Sequence, residues 1–143
     1  MVLLVCDSDF LLKVASEPLP SLRSYLDYSN LSFATIPEVV RELEGLAHSR
    51  EKTTARKARF VLRLIGTTIT LIDQRADKNK NVEADIALYE CARQMDFLVA
   101  TMDGRLLSRF ERNRLPFLTL REDKPFERSF GRATYLSARK KSI

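Results

Sequence analysis

The sequence is poor in residues on which several large functional classes depend. It contains one histidine, two cysteines and four glycines in 143 residues. The lone His48 falls in a polar stretch at a helix end, which leaves no Ser-His-Asp triad to assemble. Cys6 and Cys91 alone make neither a disulfide framework nor a zinc site, so a reducing, cytoplasmic setting is expected. Gly45 and Gly66 stand isolated and no Gly-Lys-Ser/Thr occurs, which excludes a P-loop. No apolar run reaches about 18 residues, so no membrane-spanning helix is expected. The opening Met-Val-Leu-Leu-Val-Cys passes straight into Asp7-Ser8-Asp9 with no basic flank or cleavage site, and a secretory signal is not expected either. Aromatics make up only 8%, and Phe10, Phe33, Phe60, Phe97 and Phe117 sit in apolar runs that read as core. No base-stacking platform is legible among them.

What is present describes an ordinary globular chain. Hydrophobic residues at 45% and charged residues at 30% are enough for a buried core and too apolar for disorder. The length fits one domain, expected over residues 1–136, followed by a basic tail at 137–143 that is expected to be flexible. The net charge of +5 is unevenly placed. Residues 1–103 hold 13 basic and 15 acidic side chains, whereas residues 104–143 hold 11 and 4. A C-terminal basic excess suits a polyanionic partner such as nucleic acid.

Apolar runs and punctuation order the elements. Val2–Cys6 is apolar on both faces, as an interior strand of a parallel sheet must be. A short helical stretch follows over Phe10–Val14, and Pro18 and Pro20 introduce a second helix near Leu22–Tyr28. Leu31–Ile36 reads as a strand, and Pro37 opens a helix to about Ala47. Glu51–Ile65 is a longer helix ended by Gly66, then Thr67–Ile72 reads as a β-branched strand. Beyond a polar loop at 73–81 come helix Glu83–Gln94, strand Phe97–Thr101, helix Arg105–Asn113 and strand Phe117–Leu120. A short edge strand is expected at Ala133–Leu136. Strands alternating with helices at this spacing imply right-handed crossovers and a three-layer α/β/α sandwich around a mainly parallel sheet.

Four acids sit where stability alone would not put them. Asp7 and Asp103 directly follow strands, at the ends where open parallel sheets bind ligands. Glu42 borders the apolar stripe Val39, Leu43, Leu46, Ala47 of its helix, and Asp85 lies in the first turn of a helix with stripe Ala84, Ala87, Leu88, Cys91. Two carboxylates about 4 Å apart repel by roughly 4 kcal/mol at an effective dielectric of 20. A cluster of them would therefore consume much of a fold's stability, unless the acids stay apart, protonate or enclose a cation such as Mg²⁺ or Mn²⁺. Each acid also has a plain structural reading. Asp7, Ser8 or Asp9 can cap the helix that follows, Asp85 suits a helix start, Asp103-Gly104 suits a turn, and Glu42 can reach solvent or an arginine.

The order of these acids resembles that of the PIN-domain nucleases. Val5-Cys-Asp-Ser-Asp-Phe-Leu-Leu12 is similar to the family's opening strand followed by Asp-Thr-Asn, and Ile36-Pro-Glu-Val-Val-Arg-Glu-Leu-Glu-Gly-Leu46 to its second motif. Glu83-Ala-Asp-Ile-Ala-Leu88 and Val99-Ala-Thr-Met-Asp-Gly-Arg-Leu-Leu107 are similar to the third and fourth. The resemblance covers Val2 to about Leu120 and is closest to the ribosomal-RNA-processing branch, with the toxin halves of toxin–antitoxin pairs second. It implies an endoribonuclease that uses Mg²⁺ or Mn²⁺ and leaves a 5′-phosphate and a 3′-hydroxyl. Asp7 and Asp103 would be the main ligands, Asp85 a ligand partly through water, and Glu42 a ligand or water-orienting base. Ser8 and Thr101 would hold carboxylates by hydrogen bonds. Many members carry a further acid where this chain has Arg105, so one firmly held ion is expected. Partners implied are RNA, an antitoxin or ribosome-assembly factor, and a second copy of the chain. The alternative is a catalytically silent PIN-like module that binds RNA or protein.

Asp7-Ser8-Asp9 also looks like the Asp-x-Asp of haloacid-dehalogenase phosphatases. That chemistry needs a lysine and a later Gly-Asp motif, and Thr101-Met-Asp-Gly has its glycine after the acid. Two basic stripes complete the picture. Lys52, Arg56, Arg59 and Arg63 share one helix face beside the stripe Ala55, Ala58, Leu62, Ile65, and Arg105, Arg109 and Arg112 share another beginning beside Asp103. Either face suits RNA phosphates or plain solvation.

Overall fold

Among the described residues, five short strands lie parallel in the order β3-β2-β1-β4-β5, and five helices pack on them in an α/β/α arrangement. The computed structural model describes residues 2–15, 31–72, 83–94, 97–115 and 117–119. In chain order these give β1 (Val2–Cys6), α1 (Ser8–Ala15), β2 (Leu31–Thr35), α2 (Pro37–Leu46), α3 (Lys52–Leu64) and β3 (Thr70–Leu71). There follow α4 (Ala84–Gln94), β4 (Leu98–Ala100), α5 (Gly104–Arg112) and β5 (Phe117–Leu118). The helix expected near Leu22–Tyr28, the loop at 73–81, the edge strand at Ala133–Leu136 and the tail at 137–143 lie outside the described residues.

The central position of β1 explains its unbroken apolar sequence. It pairs with β2 on one side (Leu4 opposite Phe33) and with β4 on the other (Val5 opposite Val99). Leu4, Val5 and Cys6 are fully buried, as are Val99 and Ala100 of β4. The chain builds outward from β1 through β2 to β3, then returns to lay β4 and β5 on the opposite side. That reversal opens a crevice between the carboxyl ends of β1 and β4, the place where open parallel sheets bind ligands. Among the described residues, no helix is long and apolar enough to cross a membrane.

The helix punctuation follows the residues. Pro37 occupies the first turn of α2, and the Glu51 carboxylate caps α3 by accepting the Thr53 and Thr54 N–H groups at 3.1 and 2.7 Å. Past α3, Gly66 takes φ +92° and donates its N–H to the Ile69 carbonyl at 2.8 Å. This turn absorbs Thr67 and Thr68, so the strand expected over Thr67–Ile72 is only Thr70–Leu71. The α3 core stripe also differs at two of its four expected positions. Val61 is buried beside Ala55 and Ala58, while Leu62 and Ile65 are half-buried.

At the end of α5, Arg114 stands in the left-handed region with φ 55°. Its N–H donates to the Glu111 carbonyl and that of Leu115 to the Phe110 carbonyl, a Schellman closure whose left-handed position glycine fills best. Arg114→Gly is expected to stabilise the fold by about 1 kcal/mol, less what the freer unfolded chain gives back, and to raise the melting temperature by about 3 °C. A lower melting temperature would show that the backbone there carries no strain.

Candidate active site

The local sequence at each strand end dictates where the acids go. Backbone pairing stops at Cys6, and the Asp7 N–H is the last to join the sheet, donating to the Ala100 carbonyl at 3.0 Å. The Asp7 side chain then caps α1, its Oδ1 accepting the Phe10 N–H at 2.8 Å. Its Oδ2 accepts a hydrogen bond from the Thr101 hydroxyl at the end of β4. The same Thr101 oxygen accepts the Asp103 N–H at 3.0 Å. One fully buried hydroxyl thus ties the end of β1 to the turn that carries Asp103. Asp103 in turn caps α5, with Oδ1 2.9 Å from the Arg105 N and 3.5 Å from the Leu106 N. The structural and functional readings of these two acids therefore coexist in the same side chains.

A second tie joins the helices. The Ser8 hydroxyl, buried at the start of α1, donates to Glu42 Oε1 on α2 at 2.8 Å. Asp85, exposed in the first turn of α4, accepts the Ile86 N–H at 2.9 Å. Asp7, Glu42, Asp85 and Asp103 all line one cavity of about 460 Å³, with Ser8 and Asp9 on its wall and Leu46, Leu88 and Leu106 as its apolar lining.

Burial dominates the electrostatics of Asp7. Only 7% of the residue is exposed, and removal from water pushes its carboxyl from the ordinary 3.8 up to about 6. Hydrogen bonds from Thr101 and from the Phe10 and Met102 amides pull the other way, and the Asp9 charge adds a small upward push. The neighbouring Cys6 thiol is also held well above its usual range by burial and by the Asp7 charge, so it is an inert core group.

The four acids share a cavity without closing on one point. Among the described residues, no group of three or more His, Cys, Asp or Glu side chains is arranged to hold a metal ion. Of the outcomes open to such acids, the described residues show no ready-made cluster, and the electrostatic cost falls on Asp7 as burial. Local hydrogen bonds account for the spread, since Asp7 and Asp103 are drawn to helix amides and Glu42 to Ser8. The donor set nevertheless fits a hard cation, because every candidate ligand is a carboxylate oxygen. Mg²⁺ in particular binds through one or two carboxylates and keeps water and substrate oxygens for the rest, so it needs no ready-made cage.

Sequence reasoning missed Glu38. It lies one helical turn before Glu42, is only 8% exposed, and lines an adjoining depression with Glu42, Asp85 and Asp103. The four-residue spacing from Glu42 puts both on one face of α2, and that signal was available. The basic stripes divide. Arg105, Arg109 and Arg112 line a groove that shares Asp85 and Leu106 with the acid cavity. Lys52, Arg56, Arg59 and Arg63 line neither, and the Arg59 guanidinium donates to the Ala47 carbonyl at 3.1 Å, at the end of α2. Arg63 lies 6.0 Å from the Phe60 ring centre, covering a ring that is half-buried. The α3 face is thus partly occupied in holding helices together.

No family model and no curated protein matches the sequence. Among solved structures, one described as the PIN domain endonuclease Utp24 is similar over 85% of this chain and 87% of its own, with a TM-score of 0.57 and 21% identity. A likeness at that identity speaks for the fold. The chain carries a PIN-like α/β fold in which the two central strands end in acids joined through one threonine.

Proposed function

We propose that this protein is a divalent-metal-dependent endoribonuclease whose active site is the cavity at the ends of β1 and β4. The observation that carries the reading is the Asp7–Thr101–Asp103 tie. It spends a buried, destabilised carboxylate on joining two strand ends beside two further acids, and a purely structural role does not require that. The similarity of the fold to a PIN domain endonuclease supports it. Mg²⁺ or Mn²⁺, when bound, would supply an activated water and neutralise charge developing on the phosphate.

The chain's own residues do the rest. Asp7 and Asp103 are the ligands best fixed in place, each by its helix cap and by Thr101. Asp85, exposed on the facing helix, would be a further ligand partly through water, and Glu42, steadied by Ser8, would be a ligand or the base that orients a water. The product ends follow the resemblance: a 5′-phosphate on one fragment and, from the departing 3′ oxygen, a 3′-hydroxyl on the other. Ribosomal-RNA processing is the preferred role and a toxin of a toxin–antitoxin pair the second.

Single-stranded RNA incubated with Mg²⁺ or Mn²⁺ is expected to be cut, and EDTA to stop the cutting. Asp103→Asn is expected to lower the rate by at least about a hundredfold while the protein stays folded. Cutting that survives both EDTA and Asp103→Asn would place the activity elsewhere. That the described residues form no closed three-ligand cage favours one competing reading, a silent RNA- or protein-binding module. RNA binding without any cleavage, unchanged by Asp103→Asn, would establish that module instead.

A further inference from the structure

Two depressions adjoin the acid cavity, and their charges are opposite. On the α5 side a groove of about 870 Å³ is lined by Arg105, Arg109 and Arg112, with Asp85 its single acid. A second depression of about 540 Å³ overlaps the cavity at Glu42, Asp85 and Asp103 and adds Glu38 and Glu83, with Arg41 its single base. Glu38 and Glu83 thus extend acidic charge past the candidate ligands, whereas the α5 groove extends basic charge past them. A phosphate backbone is attracted to the groove and not to the added acids.

We infer that, among the described residues, the enzyme holds its RNA on one side of the scissile phosphate, along α5, and that Arg109 is the fixed anchor of that side. This rests on the nuclease reading above. Arg109 lies with its guanidinium carbon 3.8 Å from the centre of the Tyr89 ring. Tyr89 is buried and tilted at 53° against Phe110, with ring centres 5.9 Å apart, so the surface beneath the guanidinium is part of the core. A cation held over an aromatic face has already given up much of the freedom that an exposed arginine loses on binding. Its outer face lines the groove, where a planar guanidinium takes a phosphate through paired N–H groups or a base by stacking. Arg105 and Arg112 stand on either side along the helix, about 10 Å apart by helical rise, the reach of about two phosphates of a single strand. Leu106 and Phe110 turn the opposite face of α5 into the core, which fixes the direction in which this row of arginines points.

The test maps the first cut on a uniform oligouridylate, labelled at its 5′ end in one experiment and at its 3′ end in another. The protein is the full chain with Mn²⁺, under single-hit conditions. Cuts are expected up to the last linkage at one end and to stop about two nucleotides short of the other. Arg109→Ala is expected to raise KM about tenfold while acting little on kcat, and Arg109→Lys to recover only part of the loss because it lacks the planar face. Equal gaps at both ends overturn the one-sided footprint and leave the nuclease standing. Full recovery by Arg109→Lys overturns the anchor held on Tyr89, since a point charge then suffices. Absence of cutting at every linkage overturns the nuclease reading itself.

Discussion

Asp7→Asn is expected to abolish metal-dependent cleavage and, at neutral pH, to make the protein more stable. The wild-type carboxyl has its folded value raised from 3.8 to about 6, chiefly by burial. Such a shift works against the fold. Between about pH 4 and pH 6 the native state binds more protons than the unfolded state, so stability falls as pH rises through that window and is flat above it. A rise from 3.8 to about 6 corresponds to at most roughly 3 kcal/mol at neutral pH. Asparagine keeps one carbonyl oxygen for the Phe10 amide but offers Thr101 a donor where it had an acceptor, which returns part of the gain. A net increase of about 1 kcal/mol is the expected result, read by urea unfolding without added metal. The increase should vanish near pH 4, where the native carboxyl is already neutral. Cleavage should fall by at least about a thousandfold, because an amide is a poor ligand for a hard dication. A variant that is less stable at neutral pH, or that keeps the wild-type slope of stability against pH, would show that Asp7 is not carrying a buried charge. Function maintained at the expense of stability is the expected signature of a site residue.

Much of this arrangement is legible from the chain because it rests on strong local signals. β1 and β4 are apolar on both faces, and only the interior of a parallel sheet asks for that. Pro37 and Gly66 fix helix ends through backbone geometry that no tertiary contact reverses. Asp7 and Asp103 are legible because each follows such a strand, and Glu42 because Pro37 sets the helix whose apolar stripe it borders. What escaped depends on direction in space. Thr67 and Thr68 have strand-forming side chains, but the turn at Gly66 claims them, since strand preference reflects a packed surface more than a backbone demand. The α3 and α5 arginine rows have the same helical spacing, and spacing cannot say which row faces the cavity. Capping and ligation looked like rival readings of Asp7 and Asp103, yet a carboxylate has two oxygens and can serve a helix amide with one. Glu38 hid among first-turn acids, which helix electrostatics explains without any site.

Thr101→Val probes the tie itself, since it keeps the shape and removes only the hydroxyl. Valine leaves Asp7 Oδ2 without its strongest donor and the Asp103 N–H without an acceptor, both in a fully or partly buried setting. The cost is expected to be about 2–3 kcal/mol at neutral pH, the range for stranding buried polar partners. The Thr101 bond is the largest of the influences that hold the Asp7 carboxyl down against burial, so its loss should move the titration above about 6. The destabilisation is therefore greatest where Asp7 is ionised and shrinks toward pH 4, where a neutral carboxyl needs less support. Below that pH only the stranded Asp103 amide should remain as a penalty. Thr101→Ser keeps the hydroxyl and is expected to recover most of the stability and the wild-type pH dependence. A uniform loss at every pH for the valine variant, or no recovery with serine, would mean that Thr101 contributes packing at the β4 end and does not govern Asp7. A loss that grows with pH, in contrast, locates the control of the β1 acid in the neighbouring strand, which is how two segments distant in sequence come to act as one site.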